Sequence, residues 1–211
     1  MMEATKKSNP IYFFGILVVV MAIVLYTFTD TEVKEAYTTE IQHFRLEKEA
    51  FFRDGQASPL EDRTQFKGLV YFDPTPEYRI QADLELINSH DSISIQMSNG
   101  KKEKLAKYAY AIFQLGGKTN KLLLLKHAEE EGLFLPFGDK TNGLDTYGGG
   151  RYLDLKPDNN NPEKIMIDFN LAYNPFCAYN KNYSCPLPPR ENQLDVEIRA
   201  GEKEYPHAEK K

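Results

Sequence analysis

The run YRIQADLELI, Tyr78 to Ile87, decides the fold. Tyr78, Ile80, Ala82, Leu84 and Leu86 alternate with Arg79, Gln81, Asp83 and Glu85, which is the two-residue period of a strand with one buried face. Similar runs follow it and precede it: GLVYF at Gly68 to Phe72, SISIQM at Ser92 to Met97, KYAYAIFQL at Lys107 to Leu115, KLLLLK at Lys121 to Lys126, GLFLPF at Gly132 to Phe137, KIMIDF at Lys164 to Phe169 and LDVEIRA at Leu194 to Ala200. Asn99-Gly100 and Gly116-Gly117 sit between consecutive runs, where tight hairpins need positive φ. Short strands at such spacing predict a mainly β domain, an antiparallel sandwich or barrel, over residues 55–203.

Two helical segments are expected before it. Ile11 to Phe28, IYFFGILVVVMAIVLYTF, is free of charge, follows Lys6 and Lys7 and precedes Asp30 and Glu32. This pattern predicts a single-pass membrane anchor over 11–28, with residues 1–10 cytoplasmic and the domain on the extracytoplasmic side. A cleaved signal peptide is the rival, but LYTFTDTE lacks a small-x-small cleavage pattern. Over 29–54, Val33, Tyr37, Ile41, Phe44 and Phe51 mark the apolar stripe of an amphipathic helix, with Thr29 and Glu32 as a capping box and Gly55 as its stop. The tail, 204–211, is charged and expected to fray.

Composition narrows function. The formal net charge is −5, and no Lys/Arg block lies outside the termini, which argues against a nucleic-acid surface. No phosphate loop, dinucleotide fingerprint, G-x-S-x-G or H-E-x-x-H occurs, so no cofactor is expected. FGDKTNGLD, Phe137 to Asp145, offers oxygens at Asp139, Thr141, Asn142 and Asp145, but an EF-hand register would need Gly where Leu144 stands and Glu where Gly150 stands. No metal site is expected there.

Two stretches concentrate polar residues without such a signature. DTYGGGRYLDL, Asp145 to Leu155, places Arg151 after three glycines; it reads either as an anion grip or as a glycine bend inside a sheet with Arg151 paired to Asp145, Asp154 or Asp168. FNLAYNPFCAYNKNYSCPLPPREN, Phe169 to Asn192, holds both cysteines. In an oxidising compartment Cys177 and Cys185 would form a disulfide, whose short loop would contribute roughly 2.6 kcal/mol in the chain-entropy model. Free structural thiols and a reactive or metal-bound thiol are the other readings; His43, His90, His127 and His207 are too scattered to complete a zinc set.

SPL at Ser58, FKGLVYF at Phe66, DKTNG at Asp139, TYGGGRYLDL at Thr146, IDFNLAYNPFCAYN at Ile167, CPLPPREN at Cys185 and IRAGEK at Ile198 together resemble the domain-of-unknown-function 1684 family of bacteria and archaea. The resemblance implies no reaction. Its motif positions, with neighbouring carboxylates, supply a candidate cluster: Asp139, Asp145, Tyr147, Arg151, Asp168, Asn170, Asn174, Glu191 and Asn192. Two functions remain open, a tethered domain binding a small molecule or envelope component, and an enzyme, such as a hydrolase, using Asp145, Arg151, Asp168, Cys177 or Glu191. Convergence of these residues on an open pocket favours the second; mutual burial makes them a structural pin.

Overall fold

A computed structural model describes residues 10–88, 91–127, 131–158 and 160–206, with side chains of 10–13 and 24–30 left undescribed. The chain divides into two compact units, residues 1–40 and 41–211. A single helix, α1 (Pro10–Asp54), runs through the division. It therefore has no break or cap at Thr29, where a second helix was expected to begin.

Among the described residues, no helix is long and apolar enough to cross a membrane. This overturns the anchor at Ile11 to Phe28, and with it the single-pass topology and the extracytoplasmic placement. The helix then continues into Glu32, Lys34 and Glu35. Met1 to Asn9 lie outside the described residues.

The larger unit is mainly β. Seven strands, β1 (Arg79–Leu86), β2 (Ser92–Gln96), β3 (Lys102–Leu115), β4 (Lys118–Lys126), β5 (Leu133–Phe137), β6 (Arg151–Leu155) and β7 (Lys164–Asp168), form one antiparallel sheet in the order β6-β5-β4-β3-β1-β7, with β2 also paired to β3. Of the expected sandwich or barrel-like domain, the structure shows the antiparallel β class as a single curled, half-barrel sheet. Leu115 pairs with Lys118 across Gly116-Gly117, whose φ values of 62° and 71° make the primed turn that the glycines predicted. Gly100 also takes positive φ, 83°, at the β2–β3 turn.

Both faces of the sheet are covered, which explains KLLLLK. Leu122 and Leu124 join Ala82, Phe113, Leu135, Phe137, Leu153, Ile167 and Phe169 on the inner face. Leu123 and Leu125 join Ile95, Leu105, Phe134, Tyr152 and Cys185 on the outer one. A strand buried on both sides loses its polar alternation. Irregular chain supplies the covers, residues 169–172 and 194–200 inside and part of 173–187 outside.

Two expected strands are absent. Gly68 to Phe72 makes only an isolated bridge, Tyr71 with Glu202. Leu194 to Ala200 is irregular because its peptide groups bond to side chains: Ile198 N–H donates to Asp139, and the Ile198 and Ala200 carbonyls accept from Arg151. RYLDL is strand β6, entered from the glycine turn as a bend inside a sheet requires, but Arg151 pairs with Asp139 and not with Asp145, Asp154 or Asp168. In α1, Ile41 and Phe52 are buried while Phe44 and Phe51 are half-exposed, so Phe52 rather than Phe51 is the inward residue of the last turn. It packs with Leu69, Ala178 and Tyr179. The helix stops at Gly55, whose N–H bonds to Phe51 O; a Cβ there would lie 2.5 Å from that oxygen. Tyr205, in the tail expected to fray, packs its ring on Phe66 and Tyr179; His207 to Lys211 lie outside the described residues.

Candidate functional site

Arg151 opens β6 with its guanidinium in the interior, wholly shut off from solvent. Its Nη2 donates to Asp139 Oδ2 and to Ile198 O, both at 2.8 Å, and its Nη1 donates to the Ala200 and Glu202 carbonyls. Asp139 Oδ1 accepts from Thr141 N–H at 2.9 Å, Thr141 Oγ1 at 2.6 Å and Ile198 N–H at 3.1 Å. Burial pulls the Arg151 pKa down while Asp139 pushes it up; guanidinium keeps its charge in proteins. The pair is a clamp on the C-terminal segment, with every Asp139 oxygen engaged. The glycines before it serve the backbone: Gly150, at φ 88°, would place a Cβ 2.5 Å from Pro188 and 2.8 Å from Phe137 O, whereas Gly148 has room.

A second buried network centres on Glu202. Its carboxylate accepts from Lys48 Nζ at 2.8 Å, Asn174 N–H at 3.2 Å, Asn174 Nδ2 at 3.1 Å and the Tyr179 hydroxyl. Burial raises the Glu202 pKa against the pull of Lys48, and burial lowers the Lys48 pKa against the pull of Glu202. Each group thus depends on its partner to stay charged.

The asparagines act as substitute peptides. Asn192 Oδ1 accepts from Leu123 N–H at 2.6 Å while its Nδ2 donates to Leu123 O at 2.9 Å and Pro136 O at 2.7 Å. It fills the gap where β4 and β5 diverge after their one paired position, Leu125 with Phe134. Asn170 does the same for Thr75, taking its N–H at 2.9 Å and giving Nδ2 to its carbonyl at 2.8 Å. Asp168 caps that turn by accepting from Asn170 N–H at 3.0 Å and lies 4.0 Å from Arg79.

Asp145 and Glu191 stand elsewhere. Asp145 pairs with Arg199 at 3.0 Å. Glu191 accepts from the Tyr110 hydroxyl at 2.7 Å and lies 3.8 Å from Lys107. The structure therefore joins Asp139 with Arg151 and Asp168 with Asn170, and sets Asn174 on Glu202, which was not a candidate, but does not gather the nine candidates round one opening.

The cysteines are free thiols, which corrects the expected disulfide. They are neighbours: Cys177 N–H donates to Cys185 Sγ at 3.1 Å, so the turn at 176–178 seats one thiol on the other without a bond between them. The Cys185 thiol, helped by the Tyr147 hydroxyl at 3.8 Å and by Ser98, holds the Cys177 pKa down to about 6 against burial. Sharing that hydrogen bond, and burial, push Cys185 up. Burial and the Cys177 thiolate raise Tyr147.

An open cavity lies on the outer face, across the sheet from Arg151. It measures about 440 Å³ and is walled by the rings of Phe134, Tyr152, Tyr173, Phe176 and Tyr183, with Glu103, His127 and Asp154 among its polar residues and Cys185 on its wall. Tyr152 stands edge-on to Phe134 at 4.8 Å and to Tyr173 at 5.8 Å, and its hydroxyl donates to Pro186 O. The Tyr173 hydroxyl donates to Asp154 Oδ2 at 2.7 Å, and His127 lies 3.7 Å from Glu103. None of Glu103, His127 and Asp154 stood among the nine candidates. The signal was the parity of RYLDL: as a strand it sends Arg151, Leu153 and Leu155 inward and Tyr152 and Asp154 outward.

Fold and buried network define the class: a mainly β antiparallel domain, one curled sheet pinned by an internal Arg-Asp pair. The chain belongs to the family described as protein of unknown function (DUF1684), whose profile matches residues 64–203. It is similar to the uncharacterized protein from gene locus rrnAC0354 of Haloarcula marismortui, solved by solution NMR, with 40% identity over 80% of this chain and 95% of that one and a TM-score of 0.64. No curated protein matches.

Proposed function

We propose that this domain binds a small molecule in the outer-face cleft. The observation that carries the reading is the cleft itself, about 440 Å³ with five aromatic rings in its walls. That volume falls within the range of ligand pockets, and such pockets combine apolar walls with a few placed polar groups. The hydrolytic alternative finds no comparable support. Arg151 and Asp139 are closed off and occupied by each other, while Asp145 and Glu191 sit in separate surface pairs.

Ser184 lines the cleft and is exposed, so Ser184→Trp fills the space without entering the core. Native mass spectrometry of the full chain purified from its own cells should show a bound small molecule, and the Ser184→Trp variant should have lost it at unchanged melting temperature. Equal ligand on both proteins would place binding elsewhere and refute the reading.

A further inference from the structure

We infer that the ligand of the cleft is a small organic cation, an alkylammonium compound. The inference rests on the binding reading above and specifies its chemistry. The polar lining carries two carboxylates, Glu103 and Asp154, and neither Lys nor Arg. Asp154 accepts from the Tyr173 hydroxyl through Oδ2 and lines the cleft.

The rings supply the second half of the argument. Phe134 and Tyr152 meet at 78°, Tyr152 and Tyr173 at 86°, and Phe176 and Tyr183 at 76°. Rings set nearly perpendicular present faces in different directions, and the face of an aromatic ring is its negative region, so such walls attract a cation from several sides. The protein already uses one of these rings in this way: Lys48 Nζ sits 4.5 Å from the Tyr173 centroid.

Lys48 does not cancel the acidic lining. Its charge is met mainly by Glu202 at 2.8 Å, with a weaker attraction to Asp154. His127 faces Glu103 at 3.7 Å and rests on Phe134 at 5.3 Å; Asp154, which has the Tyr173 hydroxyl and only the weaker attraction of Lys48, is the carboxylate a ligand's cation would meet. An anion would meet two carboxylates and five aromatic rings in this cleft. A neutral ligand would gain the apolar contact alone.

Choline and its neutral isostere 3,3-dimethyl-1-butanol, of matching shape with carbon in place of nitrogen, separate these cases, with butyrate as the anion. Calorimetric titration of the full chain at low salt, together with aromatic proton shifts of Tyr152 and Tyr173, should show saturable choline binding at least about tenfold tighter than the isostere or butyrate. Asp154→Asn keeps an acceptor for Tyr173, and should weaken choline about tenfold while leaving the isostere unchanged. Isostere or butyrate binding as well as choline, or an unaffected Asp154→Asn, would overturn the cation assignment and leave the cleft reading intact. Failure of all three probes to shift Tyr152 or Tyr173 would overturn the cation assignment and count against the cleft reading too.

Discussion

Arg151 Nη2 lies 2.8 Å from Asp139 Oδ2 with both side chains at zero exposure. An ion pair so placed has lost all hydration, and survives because both Nη atoms and both Asp139 oxygens are engaged by backbone, Thr141 and each other, while Arg151 Nε stays buried without a partner. It ties three stretches of sequence: the start of β6, the loop after β5, and the segment from Ile198 to Glu202.

Removing Arg151 leaves Asp139 as a buried unpaired charge. Arg151→Ala is expected to cost about 3–5 kcal/mol, and Arg151→Lys most of that, because an ammonium cannot serve Asp139 and three carbonyls as the guanidinium fork does. Chemical denaturation measures both. A near-native midpoint for Arg151→Ala would refute the clamp.

Asn192 stabilises through both ends of its amide. Asn192→Asp preserves shape but loses the donors to Leu123 O and Pro136 O and puts negative charge against them, so it should destabilise by about 3 kcal/mol, as much as Asn192→Ala. Thermal unfolding compares the two; an aspartate variant near wild-type stability would show that the acceptor alone matters.

Lys48 and Glu202 should be energetically coupled. Lys48→Met alone strands a buried carboxylate and is expected to cost about 3 kcal/mol, while Lys48→Met with Glu202→Gln should cost less than Lys48→Met alone, since Gln retains an acceptor for Asn174 and Tyr179 without the charge. A double-mutant cycle by urea unfolding gives the coupling. Simple additivity would disprove it.

Cys177 should react as a thiolate below neutral pH. Its pKa is held to about 6 first by the Cys185 thiol, and only the thiolate attacks an alkylating agent. Iodoacetamide labelling at Cys177, followed by peptide mass spectrometry, should therefore rise with pH through a midpoint near 6 and level off above it. Cys185→Ala removes the donor and should move the midpoint upward; an unmoved midpoint would assign the shift to Tyr147 or Ser98 instead.

How much was legible beforehand differs by element. The alternation in YRIQADLELI and the turn glycines at 100, 116 and 117 identify strands and hairpins because both are local requirements of backbone and pleat. LDVEIRA misleads because its alternation is real but its peptide groups are claimed by Arg151 and Asp139, side chains 59 and fewer positions away in sequence. RYLDL was hidden by its glycines, and with it the cleft, since Tyr152 and Asp154 acquire a common outward face only once β6 is a strand. The cysteine pair was rightly singled out, but their spacing in sequence does not distinguish bonded sulfurs from hydrogen-bonded thiols.

The sequence by itself determined the mainly β antiparallel class, the family and the residues that matter to the fold, because hydrophobic period, turn chemistry and motif order are all carried along the chain. Tertiary structure alone decided that Arg151, Asn170, Asn174 and Asn192 face inward to satisfy buried peptide groups and carboxylates, and that the opening lies on the opposite face. The physical reason is that burial and pairing are properties of what surrounds a side chain. A charged or amide group reads the same in sequence whether it awaits a ligand or already holds the backbone.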